Sequence, residues 1–182
     1  MRVVATSQPL LPPKIAPCVF DAVSEALYSN RWLMLDYKNA IGKRNSVEVM
    51  PLGLVQQGTR LYVVCRFQGF ENERNLALHR IQSAVMTTTV FDRPKGFDLK
   101  QYDDDGRFGF GEGVRVRLSF HIERSAGLHL LESPLSTDQE VVERDDGQLS
   151  LSATVVDSAM LERWILGFGN DISDVKRNLV TR

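Results

Sequence analysis

Between Trp32 and Phe91 the sequence breaks into five short runs with strand character, at 32–37, 46–56, 60–67, 73–81 and 83–91. Polar or glycine-containing breaks at 39–43, 57–59 and 68–72 separate most of them. Five short strands joined by tight turns are too few for a sandwich of usual size. They predict a small, strongly bent sheet closing into an SH3-like or Sm-like barrel, which also removes exposed edges.

The flanks differ in character. Residues 1–17 hold Pro9, Pro12, Pro13 and Pro17. Proline removes backbone donors and biases the preceding residue away from helix, so this stretch reads as an extended arm or linker. Residues 18–28 read as a helix, with Val19, Val23, Ala26 and Leu27 on one side and Asn30 placed to close it. Residues 92–113 are rich in Gly and Asp and form a connector, the internal boundary of the chain. Beyond it, Val114, Val116, Leu118 and Phe120 alternate with Arg115, Arg117, Ser119 and His121, a half-buried strand. A short helix at 125–131 follows, then strands at 140–144 and 148–156 joined through Asp145-Asp146-Gly147, a hairpin signal. Ser158 can cap a helix running to Leu166, ended by Gly167. The order β-α-β-β-α suits a ferredoxin-like layer of helices on an antiparallel sheet. The expected fold class is α+β. The expected organisation is an arm at 1–17, a barrel domain at 18–91, the connector at 92–113 and a second domain at 114–182.

The net charge is −1 over 182 residues, so a large nonspecific nucleic-acid surface is not expected, although a local basic patch is compatible with it. Cys18 and Cys65 are far apart and match no CxxC pattern, and they read as reduced structural thiols. The first residues make a poor signal peptide, and no apolar run approaches the ~20 residues needed to span a bilayer. The expected location is the cytoplasm.

No nucleophile–base pair and no metal-ligand spacing stands out, so neither an enzyme nor a cofactor is expected. The candidates are binding residues. Arg74 and Arg80, in an unbroken strand, would share a face with Leu76 and Leu78 and could form one edge of an anion cleft. They could equally be surface arginines whose stems cover core. Tyr62 can stack on a base, or serve as a core ring. His79 beside Arg80 favours a neutral imidazole. Arg44, after the Gly42 turn, is a further cation or an ordinary solvated hairpin residue. Asp103-Asp104-Asp105 lacks the later ligands of a calcium loop and reads as a solvated run. His121 and Glu123 share a face, but no serine or cysteine is placed to be activated. Trp164 reads as a core anchor.

Taken in order, LMLDYKNAIGKRNSVEVMPLGLVQQGTRLYVVCRF and then ERNLALHRI resemble the WYL domain, a bacterial ligand-sensing module found mostly in transcriptional regulators. Leu61-Tyr62-Val63 stands where the family has Trp-Tyr-Leu, and His79 stands where Asp is common before the final Arg-Ile. The segment from VRVRLSF to LERWILGFGNDI resembles the C-terminal extension that often follows WYL. The resemblance implies an effector domain that reads an anionic ligand, a nucleotide or single-stranded nucleic acid, through Tyr62, Arg74, His79, Arg80 and Arg44. It also implies DNA contact only through a preceding winged-helix domain for which this sequence has no room. An antiparallel β-α-β-β-α module exposes a sheet face or edge that commonly pairs, so a homodimer is expected, and with no apolar spanning run no membrane association is expected. The alternative is a ligand-free dimerisation module.

Overall fold

The computed structural model describes residues 10–109 and 111–180. Of the expected arm, residues 1–9 lie outside the described residues; residues 10–16 carry no regular element, and Ile15 and Ala16 pack on the first core. The chain divides into two compact units, Met1–Phe97 and Asp98–Arg182, each with its own core.

The first unit opens with α1 (Val19–Ser29). Asn30 takes the left-handed conformation, with φ 51°, and its N–H bonds the carbonyl of Ala26. Asparagine tolerates that conformation better than most residues, so it ends the helix as expected. Five strands follow: β1 (Arg31–Lys38), β2 (Arg44–Gln57), β3 (Arg60–Phe67), β4 (Glu73–Ala77) and β5 (Ile81–Val90). They form one antiparallel sheet in the order β4-β3-β2-β1-β5. The apolar stripe Val19, Val23 and Ala26 packs on Leu33 and Leu35 of β1, Val49 of β2, Val63 and Cys65 of β3, and Leu76, Leu78 and Ile81.

The register of β1 against β5 shifts between Arg31 and Leu33 and again between Asp36 and Tyr37, and two further departures from regular strand lie on β2 and after β4. Between β2 and β3 the register passes from Pro51↔Cys65 to Gly53↔Val64, so Leu52 is the extra residue of a bulge. Its side chain is buried and its carbonyl accepts a 2.5 Å bond from Arg93 Nη2. The second departure corrects the expected strand at 73–81. That strand ends at Ala77, and Leu78–Arg80 form a 3₁₀ turn before β5 begins. The cause is topological: β4 pairs with β3 while β5 pairs with β1, so the chain must leave one neighbour and join another.

The second unit begins inside the expected connector. Asp98 Oδ1 accepts from the Gln101 N–H at 2.7 Å and caps α2 (Leu99–Asp104). In β6 (Arg115–Ile122) Val116, Leu118, Phe120 and Ile122 are buried in strict alternation. The helix expected at 125–131 is two single turns, α3 (Arg124–Gly127) and α4 (His129–Glu132). Gly127 lies so close to β6 that an added Cβ would fall 2.6 Å from Ile122 Cγ2. β7 (Glu140–Glu143) and β8 (Leu149–Val156) follow, joined by a turn in which Gly147 has φ 82°. Ser158 Oγ accepts from the Leu161 N–H at 3.1 Å and starts α5 (Ala159–Leu166).

The chain then adds β9 (Ile172–Leu179), an element absent from the β-α-β-β-α reading. The sheet order is β7-β8-β6-β9, antiparallel throughout. Its core joins Leu118, Phe120, Ile122, Leu130, Leu149, Leu151 and Ile165. Trp164 lies edge-on to Phe120 with ring centroids 6.1 Å apart. Asp138 ties the preceding loop to β8. The Ser136 hydroxyl and the Thr154 N–H both donate to it, with Arg117 nearby, and hold its carboxyl well below the usual carboxylate range.

Burial separates neighbours along β1, where Leu33 is fully buried and Met34 is 40% exposed. Leu33→Ala is therefore expected to lower unfolding stability by about 2–5 kcal/mol. Met34→Ala should stay within about 0.5 kcal/mol. Urea denaturation of the two variants, compared by midpoint and slope, checks the assignment of the core face.

Candidate functional site

The β3–β4 ladder fixes which candidate residues meet. Its register runs without interruption from Tyr62↔Ala77 to Arg66↔Glu73. Side chains alternate along a strand, so Arg60, Tyr62 and Val64 point to one face and Val63, Cys65 and Phe67 to the other. Directly opposed residues share a face. Tyr62 therefore lies with Ala77, and Arg74 lies with Cys65 on the opposite side.

Arg74 has its own company. Its guanidinium carbon is 4.6 Å from the Phe67 ring centroid and 5.3 Å from that of Phe70, a pair of cation–π contacts at the end of the core face. The Cys65 thiol beside it is fully buried, and burial pushes its pKa up to about 12 against a smaller opposing effect of Arg74. Burial of this kind keeps a thiol protonated and makes it a poor nucleophile. Arg66 is neutralised by Glu73 through Nε at 2.9 Å and Nη2 at 2.5 Å.

The 3₁₀ turn sets His79 and Arg80 against β3. His79 is half-buried, and its Nδ1 is a buried atom with no hydrogen-bond partner among the described residues. Burial lowers the imidazole pKa, and the cations of Arg80 and then Arg60 lower it further. The charge of Arg60 therefore reaches His79, while Tyr62 shares the Arg60 face of β3 and opposes Ala77, two residues before His79. Arg60 was not among the expected residues. The signal for it was parity, since positions 60 and 62 of one strand share a face. Arg44 is exposed at the head of β2, opposite Lys38 and beside the turn where Asn39 Oδ1 accepts from the N–H groups of Ile41 and Lys43. Among the described residues no carboxylate pairs with Arg44, Arg60, Arg74 or Arg80.

In the second unit the carboxylates and the imidazole are engaged elsewhere. Glu123 Oε1 accepts from Gln148 Nε2 at 2.7 Å, while His121 Nε2 faces Arg144 Nη1 at 3.1 Å. Asp104 pairs with Lys100, and Asp105 accepts from Gln101. Among the described residues no group of three His, Cys, Asp or Glu side chains could hold a metal.

The family model of the WYL domain matches residues 18–86, which span α1 through most of β5. The model of the WCX domain matches residues 112–175, from just before β6 into β9. The chain is a WYL-domain protein. No curated protein matches it. Among solved structures it is similar to proteasome accessory factor B/C (PafBC) of Arthrobacter aurescens, at 21% identity and a TM-score of 0.48, covering 100% of this chain and 27% of that one. Tyr62, Arg74, His79, Arg80 and Arg44 all fall inside the WYL match. No helix is long and apolar enough to cross a membrane among the described residues.

The lowered pKa of His79 carries a sign for stability. Above the usual histidine value of 6.5 the imidazole is neutral in both states and the fold keeps its full stability. As the pH falls below that value the unfolded chain takes up the proton first, and stability drops. His79→Gln is expected to flatten that limb, read as the difference from the parent in urea midpoints between about pH 7 and pH 5.

Proposed function

We propose that this chain is the effector part of a transcriptional regulator, a WYL domain with its WCX extension, and that it binds an anionic ligand beside β3. The ligand class is a nucleotide or a short single strand of nucleic acid. The observation that carries the reading is that the 3₁₀ turn after Ala77 brings His79, whose buried Nδ1 has no partner among the described residues, within reach of the Arg80 and Arg60 charges, next to the strand position where Tyr62 opposes Ala77. Arginine forks take phosphate oxygens, an aromatic ring takes a base, and a neutral imidazole offers both a donor and an acceptor. Arg74, engaged by Phe67 and Phe70, and Arg44 at its hairpin stand outside that group; on this reading they extend the basic surface without contacting the base. DNA contact would come from a winged-helix domain in a longer chain.

Two architectural readings go with the proposal. The sheet order leaves β4 and β5 outermost, and the three-residue turn joining them favours closure into a small SH3/Sm-like barrel over 18–91. After the connector at 92–113, the order β7-β8-β6-β9, with helical segments after β6 and β8, favours a ferredoxin-like extension over 114–182.

Binding is tested by fluorescence anisotropy with a labelled single-stranded oligonucleotide across a salt series. Affinity should fall with salt by a logarithmic slope of about 0.7 per phosphate contacted. Arg80→Ala and Arg60→Ala should each remove about one such contact. Tyr62→Ala should weaken binding about ten- to hundredfold with the slope intact, because stacking releases no counterions. Absence of saturable binding at low salt would sink the single-strand reading.

The regulator reading also includes a homodimer. Leu128, Leu131 and Leu166 of the second unit are 49%, 45% and 68% exposed, apolar surface that two-fold association would cover. Light scattering at tens of micromolar should report twice the chain mass; a monomer there would refute it.

A further inference from the structure

We infer that the groove between a second side of α1 and β2 is a separate ligand site, one that takes a small amphiphilic anion: an apolar chain or ring bearing a carboxylate. The helix explains the groove. Val19, Val23 and Ala26 occupy the side buried against the sheet. Phe20, Ser24, Leu27 and Tyr28 follow at i, i+4, i+7 and i+8, a second side at helical spacing. That side, with Leu54 of β2 and Arg93, lines a cavity of about 350 Å³. The volume is that of a small-molecule site, and most of its lining is apolar. Phe20 and Tyr28 remain 45% and 91% exposed, so the mouth is open.

Arg93 sets the charge of the ligand. One of its nitrogens, Nη2, is fixed to the Leu52 carbonyl at 2.5 Å, the carbonyl of the residue left over by the β2 bulge. A guanidinium carries five N–H donors, so several remain for a ligand. Among the described residues no carboxylate pairs with Arg93. An exposed cation tethered by one hydrogen bond at an apolar wall matches an acid with a hydrocarbon body, because a carboxylate accepts charge-assisted bonds while the body leaves water. The site lies apart from Tyr62 and His79 and does not depend on the nucleotide reading.

The test uses octanoate and its neutral counterpart octanol, each titrated into the full chain and followed by two-dimensional NMR of backbone and methyl groups. Octanoate is expected to shift Phe20, Leu27, Leu54 and Arg93 saturably and to bind about tenfold more tightly than octanol. Arg93→Gln should erase that preference and leave octanol binding unchanged. Ser24→Trp, which fills the groove from an accessible helix position, should abolish both, and Tyr62→Ala should affect neither. Equal affinity for the two probes, or shifts confined to other residues, overturns the inference. So does cross-relaxation between Leu27 and the exposed Leu10 or Leu11 in the ligand-free protein, since the chain itself would then fill the groove. Should Arg93→Gln fail to fold, Ser24→Trp decides: octanoate binding that survives it refutes the site.

Discussion

Val63, Val64 and Cys65 are consecutive in β3, and all three are fully buried. Successive side chains on a strand point to opposite faces, so protein covers both faces of this strand. That constraint governs much of the first unit. A slip of one residue in β4 would take Leu76 off the core face and put Asn75 there, so burial pins the register. The pinned register then decides the chemistry. It separates Arg74, which ends over Phe67 and Phe70, from Tyr62, which faces the other way beside Ala77.

Much of the fold was legible because the patterns are local. Val19, Val23 and Ala26 repeat at helical spacing, and β6 alternates apolar and polar residues along its whole length. Caps and turns behaved as their chemistry dictates: Asn30 ends α1, Ser158 starts α5 and Gly147 turns the β7–β8 hairpin. The misreadings share a cause, since each was set by tertiary demand. Leu76 and Leu78 are spaced like strand residues and both are buried, yet the chain turns at Leu78 to change sheet neighbours. Gly127 gives no local hint that Ile122 presses against it. Apart from its first residue, β9 is exposed along its length, so no alternation marked it. Pairing with β6 and the ion pairs of Arg177 with Asp157 and Glu162 hold it instead.

The candidate site was legible in kind and less so in membership. Residue chemistry pointed to arginine, tyrosine and histidine on the strands after Gly58. Which of them meet depended on where β4 stops. With the strand ending at Ala77, His79 and Arg80 leave the β4 alternation for a 3₁₀ turn, and the charge of Arg60 on β3 reaches His79. Sequence spacing alone had paired Arg80 with Arg74.

The position of β9 bears on the order in which the protein takes shape during synthesis. β6, the first strand of the second sheet, lies between β8 and β9 and needs both to satisfy its edges. The partner that completes it is the last strand of that sheet to be made, and contacts so distant along the chain close slowly. In the first unit the corresponding long-range pairing, β1 with β5, is complete once Val90 has been made. The N-terminal sheet can therefore assemble on the ribosome while β6 still shows a bare edge. During that interval β6 presents an unpaired edge, the kind of surface on which nascent chains associate.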